Sequence, residues 1–213
     1  MHPMAKKITG LYAIADTGSG NENTLFEKVQ MVLDAGCRVL QYRDKSNDDR
    51  KRQMQAAELR RLSAKMGAVF IINDDAGLAY QVKADGVHCG KDDVDIRETR
   101  KRYPGLLIGA SCYNSIDIAE QAINDGADYL AFGRFFSSPT KPEASHADLE
   151  ILQQAKSRFS QPIVAIGGIV TENAGFLISS GASAVAVISG IFSTADPYQS
   201  SRDICALFES QGE

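Results

Sequence analysis

The sequence predicts a (β/α)8 TIM barrel, an α/β fold in which eight parallel strands alternate with eight helices in one domain. Along its 213 residues, the chain alternates short apolar runs with longer amphipathic segments eight times. The apolar runs contain too few polar residues for a half-exposed sheet, which indicates a parallel sheet covered by helices. No linker or low-complexity segment divides the chain, and its length suits one barrel. An open, doubly wound sheet is the alternative.

The strands follow from runs of apolar and β-branched residues, and the helices from apolar residues at helical spacing. The predicted strands cover residues 8–14, 38–42, 68–72, 86–89, 106–111, 129–132, 162–166 and 184–188. The predicted helices cover residues 23–34, 48–65, 75–82, about 94–102, 115–124, 148–159, 172–179 and 198–210. In the second helix, Met54, Ala57, Leu59 and Leu62 are expected to face the sheet. The single catalytic domain spans residues 1–213, with residues 1 to about 7 as an N-terminal extension.

Composition excludes several classes of protein. The net charge of −4 argues against nucleic acid as the main partner, because binding to phosphate backbones needs a basic face. No apolar run approaches the roughly 20 residues of a membrane span, and no secretory signal is evident. The four cysteines are widely spaced and indicate neither a zinc cluster nor a disulfide framework. We therefore expect a cytoplasmic protein without a membrane partner; the sequence is compatible with a homo-oligomer.

Polar or glycine-rich segments follow the predicted strands from the second onward. In a barrel these strand ends converge on one face, where active sites lie. Arg43 and Lys45 follow the second strand, and Lys141 follows the sixth. Three cations on one face of an acidic protein indicate a site for an anionic ligand.

The segment from Gly133 to Pro142 is predicted to be an anion-binding loop, because glycine and two prolines prevent regular structure. It offers hydroxyl groups and a cation from Ser138, Thr140 and Lys141, which suit phosphate or pyrophosphate. The alternative is a surface turn with one solvated lysine.

Asp74 and Asp93 follow adjacent strands, so both carboxylates could reach one ion. Mg2+ is typically held by one or two carboxylates together with substrate phosphates and water. The alternative for Asp74 is a helix N-cap, although Asp75 could fill that position. Arg43 could instead form a local ion pair with Asp44. For His88, a hydrogen-bonding role is favoured over metal binding.

Glycines also follow the seventh and eighth strands, in Gly167-Gly168 and in Ser189-Gly190. In this fold, the loops after these strands commonly bind a phosphate through backbone N–H groups. The sequence therefore predicts two anionic groups, a monophosphate here and a pyrophosphate near the second, third, fourth and sixth strands.

Taken together and in order, these motifs resemble the thiamine-phosphate synthase family, and the resemblance extends from Leu11 to Ile191. The motifs are QYRDK at 41–45, IND at 72–74, GVHCGKDD at 86–93, IGAS at 108–111, SPTK at 138–141, GGI at 167–169 and IS at 188–189. The resemblance implies a (β/α)8 barrel that requires Mg2+. It also implies two small-molecule substrates, a pyrimidine pyrophosphate and a thiazole phosphate, which are joined to thiamine phosphate with release of pyrophosphate.

The same resemblance assigns roles to individual residues. It implies that Asp74 and Asp93 bind Mg2+, and that the pyrophosphate is held by Arg43, Lys45, Asn73 and Lys141. Gln41 and Ser111 would contact the pyrimidine, Ser138 and Thr140 the thiazole, and Gly168, Ile188 and Ser189 the thiazole phosphate. The predicted substrate-binding set also includes Tyr42, Asp44, His88 and Pro139. The predicted catalytic residues are Arg43, Lys45, Ser111 and Lys141.

Two residues depart from the family pattern, Arg134 in place of a usual proline and Ser138 in place of a usual threonine. Two other functions stay open. A thiazole tautomerase with a similar fold uses a histidine shortly after the serine that corresponds to Ser111, whereas this chain has Cys112-Tyr113-Asn114 there. A non-catalytic sensor of phosphate ligands would not need two carboxylates placed for Mg2+.

Overall fold

The computed structural model describes residues 2–17, 24–90, 95–136 and 147–209. Within these residues, eight parallel strands pair in chain order, and the first strand also pairs with the eighth. The sheet is therefore a closed barrel, which confirms the predicted fold class and rules out the open sheet.

The strands are β1 (Gly10–Asp16), β2 (Val39–Arg43), β3 (Val69–Asn73), β4 (Gly86–Cys89), β5 (Leu107–Tyr113), β6 (Tyr129–Gly133), β7 (Ile163–Ile166) and β8 (Ala184–Val187). The helices are α1 (Leu25–Asp34), α2 (Asp49–Met66), α3 (Ala76–Gln81), α4 (Ile96–Arg102), α5 (Ile116–Asp125), α6 (Glu150–Arg158), α7 (Thr171–Ser179), α8 (Ser189–Phe192) and α9 (Pro197–Glu209). Each predicted element is present, with ends that differ by at most two residues. None of the helices in the described ranges is long and apolar enough to cross a membrane.

Side chains alternate between the two faces of the barrel along every strand. Tyr12 and Ile14 of β1 belong to the cluster inside the barrel, whereas Leu11, Ala13 and Ala15 pack outward against the helices. This period of two follows from the pleat of a strand. It decides which residues of each strand can reach a ligand.

Helix α2 presents a different face to the barrel from the predicted one. Met54 is 63% exposed, and Ala57 is exposed as well. Gln55 is buried instead, and its side-chain oxygen accepts a hydrogen bond from the Tyr42 hydroxyl at 2.7 Å. The prediction for Met54 and Ala57 was wrong because apolar spacing does not reveal a polar contact that orients the helix. Leu59 and Leu62 are buried, as predicted.

The N-terminal residues close the end of the barrel at which the strands begin, here called the lower end. A 3-10 turn at Ala5–Lys7 precedes β1, and Ala5 and Ile8 are buried in the cluster inside the barrel. At the same end, the backbone N–H of His2 donates to the Asp128 carboxylate at 2.6 Å. The opposite, upper end of the barrel carries the C-terminal ends of the strands, and the polar residues there can form a site.

Candidate active site

A cavity of about 470 Å³ lies among the C-terminal ends of the strands. Ten of the predicted site residues line it. They are Gln41, Arg43, Lys45, Asn73, Asp74, His88, Ser111, Gly168, Ile188 and Ser189. The barrel thus brings together residues from β2, β3, β4 and β5 with the loops after β7 and β8. Five other predicted residues lie outside the described part of the chain: Asp93, Ser138, Pro139, Thr140 and Lys141.

Tyr42 does not line the cavity. Its neighbours Gln41 and Arg43 face the inside of the barrel, so the alternation of the strand turns Tyr42 toward α2. There the Tyr42 ring is 1% exposed and its hydroxyl bonds to Gln55. Tyr42 therefore lies apart from the predicted site residues that line the cavity.

Asp44 does not line the cavity either. Its hydrogen bonds hold the loop after β2 in place. Its carboxylate accepts hydrogen bonds from the Thr17 hydroxyl at 2.5 Å and the Ser46 N–H at 2.7 Å, and Lys51 lies 3.3 Å away. Burial raises the pKa of Asp44, but the bonds from Ser46 and Thr17 outweigh burial and hold the pKa well below its usual range. Asp44 thus stabilises the loop after β2, and its predicted contact with the substrate stays a prediction.

Arg43 pairs with Asp16 at the end of β1. Its Nη1 lies 2.5 Å from the Asp16 carboxylate, so the alternative of a local pair between Arg43 and Asp44 is wrong. Both Arg43 and Asp16 line the cavity. Asp16 is not among the residues predicted for the site, although its position at the end of the first apolar run indicates the same face of the barrel.

Asp74 is the centre of a charged cluster at the cavity. One carboxylate oxygen accepts from Lys45 Nζ at 2.6 Å and from Asn73 Nδ2 at 2.5 Å, and the other accepts from the Gly90 N–H at 3.1 Å. Burial raises the pKa of Asp74, but Lys45 and the Gly90 N–H outweigh it, so the pKa lies below its usual range. The carboxylate is therefore ionised at neutral pH.

The helix that follows Asp74 is capped by Asp75. The Asp75 carboxylate accepts from the Leu78 N–H at 2.8 Å at the start of α3, so the N-cap alternative for Asp74 is wrong. Asp74 itself has φ 59°, in the left-handed region that aspartate tolerates better than most residues. The backbone conformation thus places the Asp74 carboxylate at the cavity and the adjacent Asp75 carboxylate at the start of α3.

The donor set at this cluster fits one part of a magnesium site. The ionised Asp74 carboxylate is an oxygen donor of the type that Mg2+ prefers, and it lies at the cavity, where phosphate oxygens would complete the shell. The second predicted ligand, Asp93, belongs to the residues that are not described. Among the described residues, no group of three or more histidine, cysteine, aspartate or glutamate side chains could hold a metal ion.

Polar side chains continue from the cavity floor into the barrel. His88 lies between two hydroxyl groups, with Nδ1 3.1 Å from the Tyr129 hydroxyl and Nε2 3.0 Å from Ser111 Oγ. Burial lowers the pKa of His88 to about 4, against a smaller opposing effect of Asp74. His88 is therefore neutral at pH 7, and both ring nitrogens are engaged within the protein.

Two tyrosines that were not predicted as site residues, Tyr12 and Tyr129, lie inside the barrel next to this histidine. Their hydroxyl groups are 2.9 Å apart, and Gln41 Nε2 donates to the Tyr12 hydroxyl at 2.7 Å. Both rings are almost fully buried. Residues two positions apart in a strand face the same side, as Tyr12 and Ile14 do, so the spacing in the sequence indicates that such tyrosines face the inside of the barrel.

The loops after β7 and β8 form the opposite wall. Gly167 and Gly168 have φ 110° and 63°, which favour glycine, and Asn173 Nδ2 donates to the Gly168 carbonyl at 3.0 Å. Arg134 also lines the cavity and packs against Gly167, since a Cβ there would lie 2.5 Å from Arg134 Cγ. This wall combines backbone groups with one buried cation.

Comparison with known proteins identifies the family. Residues 11–191 match the family model for thiamine monophosphate synthase. The chain is 44% identical over 210 residues to a thiamine-phosphate synthase of Acidithiobacillus ferrooxidans, covering 97% of each chain. It is 47% identical over 194 residues to the Nitrosococcus oceani synthase, covering 91% of this chain and 89% of that one.

A solved structure gives the same result. The thiamine phosphate pyrophosphorylase from Pyrococcus furiosus superimposes with a TM-score of 0.89 at 31% identity, covering 97% of this chain and 98% of the other. The match thus extends over nearly the whole length of both chains. The chain therefore belongs to the thiamine monophosphate synthase family of transferase enzymes.

Proposed function

We propose that the protein is a Mg2+-dependent thiamine-phosphate synthase. It would join 4-amino-5-hydroxymethyl-2-methylpyrimidine pyrophosphate to 4-methyl-5-(2-phosphoethyl)thiazole, or to its carboxylated form, and release thiamine phosphate and pyrophosphate. The observation that best supports this is the cavity, where Lys45 lies beside Asp74 and shares the lining with Arg43, Gln41 and Ser111. Membership of the family supports the same reaction.

The pyrophosphate would bind at the charged end of the cavity. Arg43 and Lys45 provide two cations, and the Asn73 amide provides a neutral donor next to them. Lys141 is proposed as a third cation from the loop after β6. Charge-assisted hydrogen bonds are the strong ones, so these groups would hold both the substrate and the leaving group.

Asp74 and Asp93 would hold Mg2+ next to the pyrophosphate. A bound Mg2+ would neutralise negative charge on the phosphate oxygens. The ionised state of Asp74 and its place between Lys45 and Asn73 support this role.

The two rings would occupy the floor and the opposite wall. Gln41 and Ser111 would contact the pyrimidine, and the N–H groups of Gly168, Ile188 and Ser189 would bind the thiazole phosphate. The loops after β7 and β8 approach each other closely at Gly190, where a Cβ would lie 2.2 Å from the Ile169 carbonyl oxygen. A glycine at this position therefore allows the backbone groups of both loops to lie side by side.

The proposed chemistry has two steps. The bond between the pyrimidine methylene carbon and the pyrophosphate oxygen breaks, and its electrons leave with the pyrophosphate. The cation that remains is delocalised over the electron-rich aminopyrimidine, and the thiazole nitrogen then attacks the methylene carbon. Neither step needs a protein nucleophile, so the residues contribute positioning and electrostatic stabilisation.

An assay with each substrate alone and with both together tests this proposal. We expect thiamine phosphate and pyrophosphate only when both substrates and Mg2+ are present. Conversion of the isomeric thiazole substrate without the pyrimidine would instead indicate the tautomerase, and binding without any conversion would indicate the sensor. Either result would contradict the proposed function.

A cytoplasmic location is part of the proposal. All four cysteines are buried and unpaired with one another, as suits a reducing compartment. Localisation of the tagged full chain in fractionated cells would test it.

A further inference from the structure

Five side chains form a continuous hydrogen-bonded chain across the inside of the barrel. We call it the interior chain; in order, its members are Gln41, Tyr12, Tyr129, His88 and Ser111. They come from five different strands, and both ends, Gln41 and Ser111, line the cavity. The Tyr129 ring also packs against the imidazole of His88, with ring centroids 5.6 Å apart.

With the Gln41 amide nitrogen as the first donor, counting hydrogen atoms sets the direction of every further link. Gln41 Nε2 donates to the Tyr12 oxygen. Tyr12 is 1% exposed, so its own hydrogen must go to its other neighbour, the Tyr129 oxygen. By the same rule, Tyr129 donates to His88 Nδ1.

The same order of donors and acceptors continues through the imidazole of His88 to Ser111. Because Nδ1 accepts, the hydrogen of a neutral ring resides on Nε2, and Nε2 donates to Ser111 Oγ. The Ser111 hydroxyl is therefore able to donate its hydrogen to a ligand in the cavity. At the other end, the Gln41 amide oxygen is able to accept a hydrogen bond from the same ligand.

We propose that Tyr12, Tyr129 and His88 are positioning residues that fix Ser111 as a hydrogen-bond donor and the Gln41 amide oxygen as an acceptor toward the substrate. Turning the Gln41 amide around would require every link of the interior chain to reverse, so the two ends are coupled. A ligand that fits both ends carries an acceptor on one side and an N–H donor on the other. An amino-substituted nitrogen heterocycle has this pattern, and on this point the inference rests on the proposed function.

The decisive measurement is the tautomer of His88, which requires no turnover. The protein is labelled with 15N in histidine, and His88→Gln identifies the His88 signals among those of three histidines. At neutral pH we expect a neutral ring with the hydrogen on Nε2. A ring with the hydrogen on Nδ1, or a doubly protonated ring, would overturn the proposal.

Tyr129→Phe tests whether the tyrosines fix this state. Removal of the hydroxyl deprives Nδ1 of its donor, so we expect a mixture of tautomers. Tyr42→Phe is the matched control, because it also removes a buried phenol hydroxyl bonded to a side chain, but on the outer face of the barrel. An unchanged His88 spectrum in Tyr129→Phe, or the same change in both variants, would contradict the proposal.

The same variants separate positioning from general damage in the enzyme assay. Tyr129→Phe should raise KM for the pyrimidine pyrophosphate about tenfold and leave KM for the thiazole phosphate unchanged. An equal rise in both would mean that Tyr129 is merely structural. A wild-type protein without turnover would contradict the proposed function, whereas the tautomer measurement would still decide the interior chain.

Discussion

The charged residues at the cavity are paired with one another before a substrate arrives. Lys45 is bound to Asp74 and Arg43 to Asp16, and the Lys45 side chain is half exposed. An ion pair with a half-exposed lysine contributes only about 0–1 kcal/mol, so the proposed pyrophosphate would displace the Asp74 carboxylate from Lys45 at little cost. The Asp16 side chain is only 6% exposed, so its pair with Arg43 fixes the position of the guanidinium at the cavity.

Asp74 and Asp75 should respond oppositely to mutation. Asp74→Asn should lower kcat/KM about a hundredfold or more, because it removes the charge that is proposed to hold Mg2+. The free energy of unfolding should change little, because the ion pair that is also lost joins Asp74 to the half-exposed Lys45. Asp75→Ala should reduce the free energy of unfolding by about 1 kcal/mol through loss of the α3 cap, with kcat retained. Steady-state kinetics over a range of Mg2+ concentrations and urea unfolding check this pair. Full activity of Asp74→Asn at limiting Mg2+ would exclude its metal role.

His88 should make the protein sensitive to acid. Its pKa is about 4 in the folded protein and 6.5 in an unfolded chain, so the unfolded state binds the proton more tightly. Stability from this group is complete above pH 6.5 and is lost as the pH falls toward 4, by up to about 3 kcal/mol. Urea unfolding between these pH values, compared with His88→Gln, checks the effect. An equal slope in both proteins would show that other groups cause the loss.

At the scale of the elements, strand packing inside the barrel leaves no spare room between Gly109 and the Tyr129 ring. Gly109 of β5 pairs with Tyr129 of β6, and a Cβ on Gly109 would lie 2.0 Å from the tyrosine ring. A glycine at this point of the strand is therefore what allows a full phenol ring to lie across the barrel. The position of His88 depends on this packing as well, since His88 pairs with Gly109 on the other side.

Gly109→Ala should lower the free energy of unfolding by about 1–3 kcal/mol, because the tyrosine ring must move within a packed core. It should also disturb the hydrogen bond between Tyr129 and His88. Gly105→Ala is the control, since a Cβ there meets no atom within 4 Å. Thermal and urea unfolding of both variants measure the difference. Equal stability of the two variants would mean that the ring has room to shift.

At the scale of the whole molecule, the two ends of the barrel have different tasks. At the lower end, Asp85 and Asp128, which precede β4 and β6, accept hydrogen bonds from the N–H groups of Phe70 and Ile108 in the preceding strands. Arg60 and Arg100 neutralise these two carboxylates. The lower end thus fastens neighbouring strands together, while the cavity occupies the upper end.

Asp128→Asn should therefore destabilise the protein without affecting the site. We expect a loss of about 2–3 kcal/mol, since a buried, charge-assisted contact with Arg100 is removed. Asp125→Asn removes a pair between the end of α5 and the largely exposed Arg97 of α4, and should cost less than about 0.5 kcal/mol. Unfolding curves and kcat/KM of both variants check the prediction. A fall in kcat/KM of folded Asp128→Asn would contradict the separation of the two ends.

Much of this architecture could be predicted from local sequence signals. Apolar runs and capping residues such as Ser115 located the strands and helices within two residues, because backbone pairing and helix capping depend on nearby residues. The motif residues at the strand ends, including Lys45 and Asp74, could be assigned to one face because all parallel strands in a barrel point the same way.

The sequence by itself thus determined the barrel, the face on which the site lies and most of the polar residues that line it. Only the tertiary structure decided the partners: Arg43 with Asp16, Tyr42 with Gln55, and Tyr129 with His88. These contacts join residues from different strands or helices, and the closure and register of the barrel set the distances between them. No local pattern encodes such a distance, and for that reason the interior chain became visible only in the folded molecule.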